Sequence, residues 1–158
     1  MGIEEKMAKD KSCIQASKIR QLTSYPATNI QKYGSVTVFE VITIADGINI
    51  FYMVDTKGGL ISLDSDLNLS ANKKYSLLKK KYPDITLTKF LYWIKINENL
   101  FPKSQILINK NQQLIFQQEL LDGECVACPR IGIADIAYEF DQNGVYLGSK
   151  LLKITPLP

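Results

Sequence analysis

The chain contains no histidine in its 158 residues. Imidazole is the commonest general base near neutral pH and the commonest zinc ligand, so mechanisms of the Ser-His-Asp or Cys-His kind are excluded. Arginine is almost missing as well, at Arg20 and Arg130 alone. A guanidinium reads guanine and grips phosphate with a planar fork that lysine lacks, which argues against specific nucleic-acid readout. No apolar run approaches the roughly eighteen residues of a membrane helix. The N-terminal "MGIEEKMAKDKSC" sets acids among its bases and has no apolar stretch of the kind a secretory leader needs. Lys6 stands where a myristoylation signal wants Ser or Thr. The default location is therefore the cytoplasm, or an extracytoplasmic one if a leader has been removed.

What remains suits a single domain with a true core, since 46% of the residues are hydrophobic. The net charge of +3 is too small to specify an acidic partner. Residues 1–11 read as a flexible terminus and 12–158 as one domain. From Ser12, a stripe of Cys13, Ala16, Ile19 and Leu22 predicts a helix, closed by Pro26. "SVTVFEVITIADGINIFYMVD" is rich in β-branched residues, and Asp46-Gly47 is a hairpin signal, so strands are expected at about 35–45 and 48–55. "TKGG" returns the chain into Leu60–Leu63 and completes a three-stranded meander.

Ser70 is the expected N-cap of a helix near 70–82, with Ala71, Tyr75, Leu78 and Tyr82 on one stripe and Pro83 at its end. "DITLTKFLYWIKIN" reads as one long strand with aromatics on both faces. Two further hairpins follow, turning near Lys110-Asn111 and at "DQNG", although Ile133, Ile136, Ala137 and Phe140 also fit a helical stripe. The expected fold class is α+β: a predominantly antiparallel sheet of successive hairpins, with an N-terminal helix and one helix near 70–82.

Candidate sites are few. Cys125 and Cys128 in "GECVACPR" form a CxxC. A redox pair wants its first thiol at a helix N-terminus, and the chain left after Cys128 is too short to complete a thioredoxin-like scaffold. Zinc wants four ligands, and neither a second CxxC nor a histidine supplies the other two. The favoured reading is a connector shaped by two thiols or by a local disulfide, with a thiol switch as the alternative.

"LDSDLNLS" begins like a calcium loop but puts Leu69 where the turn wants Gly and Tyr75 where the bidentate Glu belongs, so it reads as a polar connector. Lys73, Lys79, Lys80 and Lys81, with Arg130, are candidate anion contacts, though a solvated helix face is the favoured reading of the lysines. Tyr92, Trp93, Tyr138 and Tyr146 are a candidate ligand or partner surface, against core packing as the ordinary alternative. No pattern calls for a cofactor or a metal. The functional expectation is a non-catalytic module that binds a protein or a small apolar ligand through a sheet face or edge. A thiol enzyme or switch is the second reading, and a weak nucleic-acid binder using the lysine helix is the third.

Overall fold

The computed structural model describes Ser17 and residues 27–43, 48–92 and 100–158. The expected N-terminal helix, the Asp46-Gly47 turn and Trp93 lie outside these residues, Ser17 excepted. Ten strands and one helix are present among the described residues: β1 (Asn29–Tyr33), β2 (Val36–Thr43), β3 (Ile48–Val54), β4 (Leu60–Ser62), α1 (Lys73–Lys81), β5 (Ile85–Leu87), β6 (Phe90–Tyr92), β7 (Lys103–Ile106), β8 (Gln112–Asp122), β9 (Arg130–Phe140) and β10 (Tyr146–Pro156). All the ladders are antiparallel. Among the described residues the fold is thus mostly antiparallel strands plus one of the two expected helices, which fits the α+β class.

The strands form two five-stranded sheets of matching plan. In the first, β3 carries β2 and then β1 on one side, with the short β4 and β6 end to end on the other. In the second, β8 carries β9 and then β10, with the short β5 and β7 on its far side. Period-two alternation sends Val36, Val38, Phe51 and Met53 of the first sheet into the same core as Leu114, Phe116, Ile136 and Tyr138 of the second. Phe51 meets Phe116 across the sheets with ring centroids 5.4 Å apart, and Phe116 meets Tyr138 edge-on at 5.6 Å. Such pairs contribute about 0.5–1.5 kcal/mol each beyond the area they bury.

Three expectations are corrected. The run from Asp84 onward is two short strands and not one: β5 pairs with β8, then the chain crosses to pair β6 with β3. The crossing is held at Thr88, whose N–H donates to the Glu119 carbonyl (3.0 Å) while its own carbonyl accepts from Gln118 Nε2 (2.9 Å). β-Branched composition sets a strand conformation but not which sheet each half joins.

The helix begins at Lys73 and is capped by Asn72, whose side-chain oxygen accepts from the Tyr75 N–H at 3.1 Å. Ser70 instead belongs to an Asx turn on Asn68. Tyr75, Leu78 and Tyr82 face the core as their spacing requires, whereas Ala71 is exposed. β1 was not anticipated, because "NIQKY" has the polar face of an edge strand and little apolar signal. Residues 133–140, ambiguous from periodicity, are strand throughout.

Turns at one end lock the sheets together. The Thr56 N–H and hydroxyl donate to the carbonyls of Gly144 (3.1 Å) and Asn143 (2.7 Å), and Asp55 Oδ2 accepts from the Tyr146 N–H (3.3 Å). Gly144 has φ +76°, and a Cβ there would collide with Ser35, so this junction requires glycine.

Candidate functional site

The opposite end of the second sheet carries the β8–β9 turn, where the CxxC stands. The Asp122 N–H donates to the Pro129 carbonyl (2.8 Å), closing the base of the turn. Within it the Cys128 N–H donates to the Cys125 carbonyl (3.1 Å) and the Cys125 N–H to Cys128 Sγ (3.1 Å). Cys125 and Cys128 are joined in a disulfide, with Cα atoms 5.1 Å apart. This is a hairpin tip rather than a helix start, so no helix dipole acts on either sulfur. Cys125 is exposed and Cys128 half-buried.

Gly123 connects this loop to β5. Its N–H donates to the Asp84 carbonyl (3.1 Å) and its carbonyl accepts from Thr86 Oγ1. It also has φ +117°, and an added Cβ would stand 2.8 Å from Cys128 Sγ. The sulfur of Cys128 therefore occupies the space where any side chain at Gly123 would stand, beside the residue that is bonded to β5.

Among the described residues β5 is the end strand of its part of the sheet, with β8 as its one ladder partner. The Asp84 carbonyl and the Thr88 N–H both point to β8. By antiparallel alternation Leu87, between them, turns its N–H and C=O the other way. A trough runs along that side. Its main hollow, about 510 Å³, lies between Ile85–Thr88 and the connector Ser65–Leu69, with Tyr75 and Glu124 at its wall. A second hollow of about 490 Å³ shares Ile85, Thr86 and Glu124 and extends to Lys79 and Asp84. A third of about 390 Å³ shares Ser65, Asp66 and Lys89 and reaches Tyr146.

The connector that forms the far wall is fixed from within the core. The Tyr138 hydroxyl accepts from the Asp64 N–H (2.7 Å) and donates to Gln118 Oε1 (2.6 Å), while Gln118 Nε2 donates to the Asp64 carbonyl (3.0 Å). The carboxylate of Asp64 accepts from the Asp66 N–H (2.8 Å) and Ser149 Oγ (3.2 Å). These Asx turns make "LDSDLNLS" the polar connector its sequence implies, and among the described residues no three His, Cys, Asp or Glu side chains gather as metal ligands.

The other candidate residues are placed as follows. Tyr138 is completely buried and belongs to the core, where desolvation raises its pKa far above the ordinary tyrosine value. Tyr146 is half-buried, stacks on Tyr138 at 6.4 Å and lines the third hollow; burial raises its pKa too. Tyr92 lies in β6 on the other sheet. Lys73, Lys79, Lys80 and Lys81 are exposed on α1. Lys79 Nζ donates to the Pro83 carbonyl (2.6 Å) and Lys81 lies over the Tyr82 ring at 5.3 Å, so both serve the helix end. Arg130 is paired with Glu119 at 3.1 Å. The structure thus places Lys79 and, through Gly123 and Glu124, the residues next to the CxxC on the trough wall, and it puts Tyr138 in the core and Tyr146 partly buried beside it. The β5 edge, open among the described residues, has no signal in the sequence, where "DITLTKFLYWIKIN" reads as one long central strand.

No helix among the described residues is long and apolar enough to cross a membrane. No family model, no curated protein and no solved structure matches the chain.

Proposed function

We propose that this domain is a non-catalytic binding module that receives an extended stretch of a partner polypeptide along the outer edge of β5. The observation that carries the reading is the pairing of an open ladder edge with a trough beside it. Main-chain groups at Leu87 offer strand-to-strand hydrogen bonds, and the trough has room for the side chains of an added strand. Its lining joins Leu67, Leu69 and Leu87 to Asp66, Lys89 and Glu124, which suits a peptide with alternating apolar and charged residues.

The β10 edge of the same sheet is guarded. β10 is interrupted by irregularities at Tyr146/Gly148 and Leu151/Lys153, carries Lys150 and Lys153, and ends in Pro156. Bulges, lysines and proline are devices by which edges refuse partners; β5 has none of these three within Ile85–Leu87 and is limited by its shortness alone.

The test is selection of random linear peptides displayed on phage against the full chain. Peptides so selected are expected to slow hydrogen exchange at the Leu87 amide. Leu87→Pro removes that outward N–H and should weaken capture about tenfold, a loss of ~1.4 kcal/mol, measured well below the variant's own urea midpoint, which falls because Leu87 also packs against the core. Selected peptides that protect β1 or β10 instead, or no retained peptide, would overturn the reading.

A further inference from the structure

We propose that the Cys125–Cys128 disulfide is a reducible latch that controls the β5 trough. The inference rests on the reading of that trough as the binding site. A separate observation carries it: the sulfur of Cys128 lies beside Gly123, where a Cβ would meet it, and Gly123 is bonded to the start of β5 through its N–H to the Asp84 carbonyl and through its own carbonyl to the Thr86 hydroxyl. Gly123 and Glu124 also form part of the trough wall, two and one residues from Cys125.

The bond ties exposed Cys125, at the tip of the loop, to Cys128, whose sulfur lies beside Gly123. Reduction removes that tie and frees both side chains to rotate independently, and the freedom the loop gains reaches Asp84 and Thr86 through the two hydrogen bonds at Gly123. The bonded state holds the wall beside β5; the reduced state releases it.

The chemistry is ordinary thiol–disulfide exchange with a dithiol reductant. A thiolate of the reductant attacks the exposed Cys125 sulfur, forming a mixed disulfide and breaking the Cys125–Cys128 bond. Cys128 departs as a thiolate, and the Cys125 N–H already directed at its sulfur at 3.1 Å stabilises that leaving group. The reductant's second thiolate then attacks its own sulfur in the mixed disulfide, releasing Cys125 and closing the reductant into a cyclic disulfide. Two electrons pass to the protein, and the two protons of the dithiol end on the cysteines. A loop closed over so few residues adds little chain-entropy stability, so the domain is expected to remain folded in both states.

The experiment compares the oxidised full chain, the same chain reduced with dithiothreitol, and the Cys125→Ser/Cys128→Ser double variant without reductant. Hydrogen exchange at the Gly123 amide is expected to quicken about tenfold in the reduced and double-variant forms, and capture of the selected peptides to weaken about tenfold. Unchanged exchange and equal capture in all three forms would overturn the latch while leaving peptide capture standing. Faster exchange with no peptide retained by the oxidised chain would overturn the capture reading, and the latch with it, while leaving the loop's coupling to β5 in place.

Discussion

The hydroxyl of Tyr138 does two jobs that a phenyl ring cannot. It accepts the Asp64 N–H and donates to Gln118, in a core from which water is excluded. Tyr138→Phe keeps the ring contacts with Phe116 and leaves both partners unsatisfied, so it should destabilise the domain by about 1–3 kcal/mol. The same hydroxyl gives the domain an alkaline limit. Desolvation raises its pKa in the folded state, the Asp64 N–H opposing this only in part. Below about pH 10 the phenol is protonated whether folded or not; above it the unfolded chain releases the proton first, and stability falls by about 1.4 kcal/mol per pH unit for this one group. Tyr146, Tyr52 and Tyr33 add smaller shifts of the same sign. Urea midpoints taken between about pH 8 and 11 should decline for the native chain and decline less steeply for Tyr138→Phe, so the gap between the two narrows as pH rises.

At the scale of the element, α1 shows how a cap is chosen. Asn72 and Ser70 are both good capping residues by type, but only Asn72 stands one residue before the helix with its oxygen on the Tyr75 N–H. Asn72→Ala should cost about 1 kcal/mol, and Ser70→Ala, in an exposed Asx turn, less than about 0.5 kcal/mol. Thermal melts of the two variants measure the difference. The β9–β10 hairpin is legible because its turn uses a residue with one conformational role: Gly144 takes φ +76° where "DQNG" puts it. The turn near Lys110-Asn111 is legible in place only, since Lys110 adopts φ +67°, which its residue type does not signal. The split of 85–92 between two sheets was not legible. No glycine or proline marks it, and its cause is Gln118, about thirty residues further along, bonding the Thr88 carbonyl. The CxxC was legible as a loop; its contact with the strand that borders the trough depends on a tertiary bond from Thr86 and has no local signature.

Over the whole molecule the chain weaves. β4 lies in the first sheet, β5 in the second, β6 in the first again and β7 in the second, so the short strands on the β3 and β8 edges are laid down alternately. The sequence suggests two β-rich halves, about 28–64 and 85–154, on either side of α1. The structure makes neither self-sufficient. The first half lacks β6, which pairs with Ile48–Ile50, and without the second half it would expose Val36, Val38, Phe51 and Met53. The second would expose Leu114, Phe116, Ile136 and the Tyr138 hydroxyl, whose N–H donor comes from Asp64 in the first. The larger of the two apolar clusters is shared by both sheets in this way, while Phe39, Val41 and Val54 form a second one within the first sheet; the shared cluster predicts one cooperative transition, with far- and near-ultraviolet circular dichroism melting together. It also predicts that fragments 1–72 and 73–158 each give collapsed amide proton dispersion when made separately, and that mixing them restores dispersed resonances, because the contacts they lack are held by each other. Independent dispersion from either fragment would mean that one sheet buries its inner face alone, and the sandwich would then be two domains in contact rather than one fold.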